Sequence, residues 1–214
     1  MFSPLDFFDL TGFPHRRLFD ELCYVWQALD RLPDYLAAHT DWRVLGKLQT
    51  GAIVKGPVFI GEGTVVEPGA LIIGPAIIGQ ECEIRHCAYL RGGVLLGDGC
   101  VVGHCSEIKS SIMLDGAKAP HFNYVGDSIL GNGVNLGAGT LCANLRLDGN
   151  EVFVRTGNSD DSRISTGRRK LGAILGDGAR TGCNVVLNPG ALIPKGAVVP
   201  PGACIPGPAK PLCA

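Results

Sequence analysis

From Val54 onward an aliphatic residue recurs at every sixth position: Val54, Ile60, Val66, Ile72, Ile78, Ile84, Leu90, Leu96, Val102, Ile108 and Leu114. Glycine directly follows several of these, at Gly61, Gly79, Gly97 and Gly103. A helix repeats every 3.6 residues and a half-buried strand every two, so neither produces this series. A hexapeptide period is that of a parallel β-helix, in which each unit supplies one short strand and a turn. Three units close a triangular coil of about 18 residues, and the recurring aliphatic side chains stack into a continuous apolar column.

The register slips near Asp115, resumes at Leu130 and Leu136, and slips again. It returns at Leu175 and continues through Thr181, Leu187, Ile193, Val199 and Ile205. The expectation is an all-β parallel β-helix over residues 46–206, with loops leaving it at 115–124 and 143–172. A segment at 1–45 differs in pattern. There "RRLFDELCYVWQALDRL" puts Leu18, Leu22, Val25, Trp26, Leu29 and Leu32 on one helical face. This predicts a short helical N-terminal segment that packs against the first coil or a neighbour. Pro33 is expected to end that helix or to open a second one. Residues 207–214 read as an irregular tail.

Composition narrows the function classes. Hydrophobic residues are 46% and charged ones 18%, as in a globular chain, and the 31 glycines suit a fold made of tight turns. A net charge of -1 gives no electrostatic reason for a nucleic-acid or anionic-membrane partner. No apolar run is long enough to span a bilayer, and "MFSPLDFFDL" lacks the pattern of a signal peptide. The expected location is therefore cytoplasmic. Nine cysteines is an odd number with no CxxC pair, which favours small buried or turn-lining thiols over disulfides or a zinc site.

The coil period turns the sequence into a map of neighbours, because residues one coil apart stack at about 4.8 Å. Arg91 and Lys109 stack in this way. Two cations so placed repel, and an anion such as phosphate between them reverses the sign. The alternative is two solvated cations that splay apart. His86 and His104 also stack, but the next position in an unbroken period is Phe122, so no metal site is predicted. His121 stands where the register slips, and an imidazole with an ordinary pKa near 6.5 suits proton abstraction at neutral pH.

Residues 121–140, "HFNYVGDSILGNGVNLGAGT", match every fixed position of H-x-x-Y-x-G-D-x-x-x-G-x-x-V-N-x-G-A-G-T. In this stretch, and more loosely over about residues 50–205, the chain resembles the acetyltransferase domain of the bifunctional N-acetylglucosamine-1-phosphate uridyltransferase/glucosamine-1-phosphate acetyltransferase family. The resemblance implies left-handed coils, a homotrimer with its site between subunits, and acetyl-CoA as co-substrate. It implies His121 as catalytic base, Tyr124, Asn135 and Asn144 as sugar contacts, and Arg91, Lys109 and Lys170 as cationic ligands of an amino sugar phosphate. It sets Cys183 beside acetyl-CoA. Three features depart from the family pattern: Leu145 replaces a sugar-contacting Tyr, the 143–172 loop is longer, and the uridyltransferase domain and basic C-terminal tail are missing. These departures support an alternative function, a non-catalytic sugar-phosphate- or sugar-nucleotide-binding or scaffold protein related to nucleotide-sugar pyrophosphorylases. In either case a separate nucleotidyltransferase is a possible partner.

Overall fold

The computed structural model describes residues 2–155 and 163–207. From Lys47 the chain winds into a β-helix whose parallel strands form three faces. Face I runs upward through Lys47–Leu48, Val65–Val66, Glu83–Ile84, Val101–His104 and Lys118–His121, and Arg180–Thr181 and Val198–Val199 continue it after a bridge at Asn135. Face II is eight strands deep, from Ile53–Lys55 to Cys204–Ile205. Face III is seven deep, from Val58–Ile60 to Ala191–Ile193. The six-residue series forms the interior: Ile60, Val66, Ile72, Ile78, Ile84, Leu90, Leu96, Val102 and Ile108 are all fully buried. A second inward position, at or just before the start of a strand, takes small side chains such as Ala70, Ala76, Cys82, Ala88 and Cys100.

The corners explain the slips in register. Most corners between these strands are turned where the backbone enters the left-handed region, which glycine adopts most readily; the corner at Gly74–Pro75 is the exception, with a cis peptide and no left-handed residue. Between faces II and III, Gly92 and Gly93 share one such corner, whereas one coil later Ser110 turns it alone with φ 46°. Tyr89 therefore pairs with Glu107, eighteen residues on, but Val94 pairs with Ser111, seventeen on. Asp127, at φ 48°, turns the next coil in the same way.

The expected loop at 115–124 is thus absent. Its residues remain in the coil, with Lys118–His121 paired to Val101–His104. The shortened coil also moves Met113, instead of Leu114, into the inward column, and Leu114 faces the opposite side.

Face III carries a second core on its outside. Ile77, Leu95, Ile112, Ile129 and Ile174 point outward from their strands yet are buried. They are covered by the N-terminal segment, through Phe8, Leu18, Trp26, Leu29, Leu32 and Leu36, and by Val152, Val154 and Leu171 of the arm at 143–172. That arm is not structureless: Phe153–Arg155 and Arg163–Ser165 pair antiparallel.

The N-terminal stripe packs as its pattern predicts, but not as one helix. Helix α1 is Pro4–Phe7 and α2 is Ala28–Ala37, while Arg16–Phe19 and Val25–Gln27 are single 3-10 turns separated by Glu21 at φ 58°. The breaks wrap the stripe over a flat sheet face that a straight rod would touch along one line. Pro33 neither ends nor starts a helix; it lies within α2 on the exposed side, where water can serve the carbonyl that its missing N–H leaves. The tail expected from 207 lies outside the described residues beyond Gly207.

Carboxylates knit the corner between faces III and I. Asp115 accepts the Asp98 N–H at 2.9 Å, and Asp98 accepts the Gln80 N–H at 2.7 Å. Burial, with the neighbouring Asp98 charge adding to it, raises the Asp115 carboxyl above its ordinary value. A carboxyl raised on folding costs stability once ionised, and that cost disappears as pH falls through the folded value toward the unfolded one. Asp115→Asn keeps the accepting oxygen and removes the charge. It is expected to raise Tm at pH 7, with the gain shrinking toward pH 4, measured by thermal denaturation across that range. In the outer core, Leu95→Ala is expected to cost about 2–5 kcal/mol in a urea titration, as for any large aliphatic truncated in a packed interior.

Candidate active site

The corner between faces I and II is a column of left-handed residues: Gly69, Cys87, Cys105, Phe122, Gly139, Asn184 and Gly202. The residue before each of these forms a second column, which brings His86, His104, His121, Ala138 and Cys183 into one line up the prism. His104 is the register partner of His121 because the coil between them has seventeen residues. The Gly139 N–H donates to the His121 carbonyl at 3.0 Å, and the Asn184 N–H to the Ala138 carbonyl at 2.8 Å. An unbroken eighteen-residue period would have put Phe122 in the histidine column. Instead, the exposed Phe122 ring packs edge-on against His104, with centroids 5.2 Å apart.

His121 is exposed at the end of its strand, and its backbone N–H donates to Asn123 Oδ1 at 3.0 Å. Asn123 is itself buried, with its amide on the Gly137 carbonyl at 2.8 Å. This fixes the two-residue turn that separates His121 from Tyr124. Tyr124 begins a face II strand, one coil above Glu107.

Beyond that strand, about 10 Å along the chain at roughly 3.3 Å per residue, is a second polar group. Here Asp127, only 5% exposed, gathers the candidate residues. Its carboxylate accepts Lys109 Nζ at 3.0 Å and Asn144 Nδ2 at 2.5 Å, and Arg168 lies at 3.8 Å. Asn144 also hydrogen-bonds the Tyr124 hydroxyl. Burial, with Glu107 and Asp127 adding negative charge, pushes the Tyr124 phenol above its ordinary range and keeps it protonated.

Arg91 and Lys109 do stack, but neither stands as a bare cation. Arg91 pairs with Glu107 at 2.6 Å and Lys109 with Asp127. Each cation is thus oriented by an acid of the neighbouring coil, and an incoming anion competes with those acids. Arg168 comes from the arm and is held from its other side by Asp30 of α2, so the arm and the N-terminal segment are both tied to this corner. A cavity of about 450 Å³ separates α2 from the corner, lined by Leu29, Leu32, Pro33, Leu36, Asp127 and Arg168 among others.

The predicted residues therefore divide. Arg91, Lys109, Tyr124 and Asn144 form one connected group on face II. His121 lies around the corner from Tyr124, with Cys183 above it in the same column. Asn135 is exposed on face I, bridged to Lys118 and Arg180. Lys170 is exposed beside Asn144, its backbone bridged to Leu145.

Glu107, Asp127 and Arg168 did not emerge from the sequence. The signal for Asp127 lay inside the first break in period, before it resumes at Leu130, since a shortened corner puts a polar side chain where glycine would otherwise stand. No signal in the sequence pointed to Arg168.

A family model described as the GMPPB C-terminal domain matches residues 72–195. The chain belongs to that family. It is 47% identical over 179 residues to the bifunctional protein GlmU of Methanococcus maripaludis strain C7, covering 81% of this chain and 43% of that protein. It is 54% identical over 81 residues to a bifunctional sugar-1-phosphate nucleotidylyltransferase/acetyltransferase of Sulfurisphaera tokodaii, covering 38% of this chain and 20% of that one. The chain thus spans less than half the length of these curated relatives. Among solved structures, the Francisella novicida UDP-N-acetylglucosamine acyltransferase aligns over 78% of this chain and 62% of its own, at 18% identity and a TM-score of 0.39. The acetyltransferase resemblance read at His121–Thr140 has its counterpart in the name of the Sulfurisphaera relative.

Removing the Asp127 charge leaves Lys109 and Arg168 without their shared acceptor. Asp127→Asn is expected to lower unfolding stability by about 3 kcal/mol, as for other pairs broken away from solvent. Urea denaturation at neutral pH measures it.

Proposed function

We propose that this domain is a hexapeptide acyltransferase that N-acetylates an amino sugar phosphate of the glucosamine 1-phosphate kind. Two observations support this together: His121 stands at an exposed corner, and the Tyr124–Asn144–Asp127–Lys109 network begins one turn away. The names of the relatives agree with the reading. Acetyl-CoA would supply the acetyl group as a thioester. The column above His121 fits an extended acyl carrier, because Ala138 and Cys183 are small and leave the corner open. His121 takes the proton from the sugar amine as the nitrogen attacks, and can return it to the departing sulfur. Tyr124, protonated, donates to the sugar, and Asn135 and Asn144 orient it. Arg91 and Lys109 exchange Glu107 and Asp127 for the sugar's phosphate, with Lys170 as a further cation.

The same reading includes a homotrimer in a cytoplasmic setting, with any nucleotidyl transfer done by another chain or domain. With face III covered, association would use faces I and II, where Tyr124, Leu141 and Phe122 are at least partly exposed. No helix among the described residues is long and apolar enough to cross a membrane.

The test is free-thiol release from acetyl-CoA with glucosamine 1-phosphate. His121→Ala is expected to lower kcat/KM by about 10²–10⁴, the range that a positioned base contributes. No release above that variant would reject acetyl transfer. Thermal stabilisation by a sugar nucleotide, with none from acetyl-CoA, would favour a binding module.

A further inference from the structure

The histidine column has a part that the proposed reaction does not use. His86 and His104 stand one coil apart with rings stacked at 5.5 Å and within 4° of parallel. Each is followed by an exposed cysteine, Cys87 and Cys105. The His86 Nδ1 lies 2.7 Å from the Pro68 carbonyl and the His104 Nδ1 lies 3.1 Å from the His86 carbonyl. A carbonyl only accepts, so both Nδ1 atoms carry the proton and both Nε2 atoms present a lone pair. One lone pair meets a thiol: Cys87 Sγ is 3.3 Å from His86 Nε2. Cys105 Sγ instead rests over the His104 ring, 3.4 Å from Nε2 and 3.7 Å from Nδ1. The Cys87 thiol therefore has a base at hydrogen-bond distance, and the Cys105 thiol sits against the face of an imidazole.

The two cysteines are also placed to reach each other. They occupy equivalent left-handed positions, with φ 58° and 50°, so their Cα–Cβ bonds leave the corner in the same direction. Stacked one coil apart, their Cα atoms are separated by about 4.8 Å, inside the range of about 4.4–6.8 Å that a disulfide spans, and the bond closes when the two Cβ atoms lean together to about 3.5–4.5 Å. The other stacked pair, Cys82 and Cys100, differs in every respect. It is buried in the core, with its thiols donating to the carbonyls of Gly97 at 3.2 Å and Leu114 at 3.1 Å.

We infer that Cys87 and Cys105 form a redox-responsive dithiol on the corner that carries His121, oxidised to an intramolecular disulfide by a small-molecule disulfide such as oxidised glutathione. One thiol gives its proton to its imidazole and attacks the small disulfide. The S–S bond breaks and one small thiol leaves, taking up that proton. The second cysteine attacks the mixed disulfide and expels the second small thiol, which takes up that cysteine's proton. Two protein thiols are oxidised and one small disulfide is reduced, so electrons and protons balance. Because Phe122 rests on His104, the oxidised pair lies one ring away from the residue that follows His121. The dithiol stands whether or not the acyl transfer does.

The test is to equilibrate the whole protein with mixtures of reduced and oxidised glutathione, alkylate it, and map non-reduced tryptic peptides by mass spectrometry. The expected product joins HCAYLR (residues 86–91) to GGVLLGDGCVVGHCSEIK (residues 92–109) and is two hydrogens lighter than the pair. It should grow with the oxidised fraction, reverse with reductant and vanish in Cys105→Ser, which leaves Cys100 in the same peptide. Three results would overturn the inference. One is the same link in Cys105→Ser, which would implicate Cys100. Another is a link from the 56–85 peptide carrying Cys82. The third is single glutathione adducts at both thiols without a cross-link.

Discussion

Every feature of this protein depends on how the chain turns its corners. Short strands close a triangle here mostly through one residue at the corner that takes the left-handed conformation, and the backbone ladder then holds successive coils in line. Where glycine supplies that residue, the corner is only a turn. Where a side chain supplies it, the corner becomes chemically addressable. Cys87, Cys105, Phe122 and Asn184 occupy it between faces I and II, and Ser110 and Asp127 between faces II and III. The interior of aliphatic and small residues is uniform, so function is written on the corners and on the outward strand positions beside them.

The shortened coils show how one residue reorganises many. Turning the corner with Ser110 alone removes one residue and brings His121 into line with His86 and His104. Doing the same with Asp127 aims a carboxylate along the corner toward Lys109 of the coil below. A buried acid is costly unless charged and polar partners surround it, and Lys109, Asn144 and Arg168 provide them. The partners come from three parts of the chain: the coil below, the start of the arm and its return. Arg168 extends the connection to Asp30 of α2, so the N-terminal segment is coupled to the candidate site through two ion pairs as well as through the shared apolar core.

The covering of face III constrains the rest of the molecule. A bare β-helix has three equivalent outer faces, but here one is committed to an intramolecular core of aromatic and aliphatic side chains. The remaining faces and the corner between them carry Arg91, Lys109, His121, Tyr124, Asn135 and the paired thiols. The arm serves the same end: its ribbon adds Val152 and Val154 to the cover while its base brings Asn144 and Arg168 to Asp127.

The sequence by itself determined the architecture, because a six-residue apolar period has only one economical solution and backbone stacking follows from it. It also marked Arg91 and Lys109 as neighbours, and His121 and Tyr124 through a motif whose spacing straddles one corner. The two slips of register were visible at 115–124 and after Leu136, but their meaning was not. A missing residue and an inserted loop disturb a periodic pattern alike until the pairing of the next coil is known. The pairing of Arg91 and Lys109 with Glu107 and Asp127 was likewise decided only in three dimensions, since those acids meet the cations through coil register and a left-handed corner. The breaking of the N-terminal stripe into α2 and separate turns, and the reach of Arg168 across the arm, were decided by packing over a flat face. Local periodicity fixes which side of the chain is apolar, but what that side covers depends on segments more than a hundred residues away.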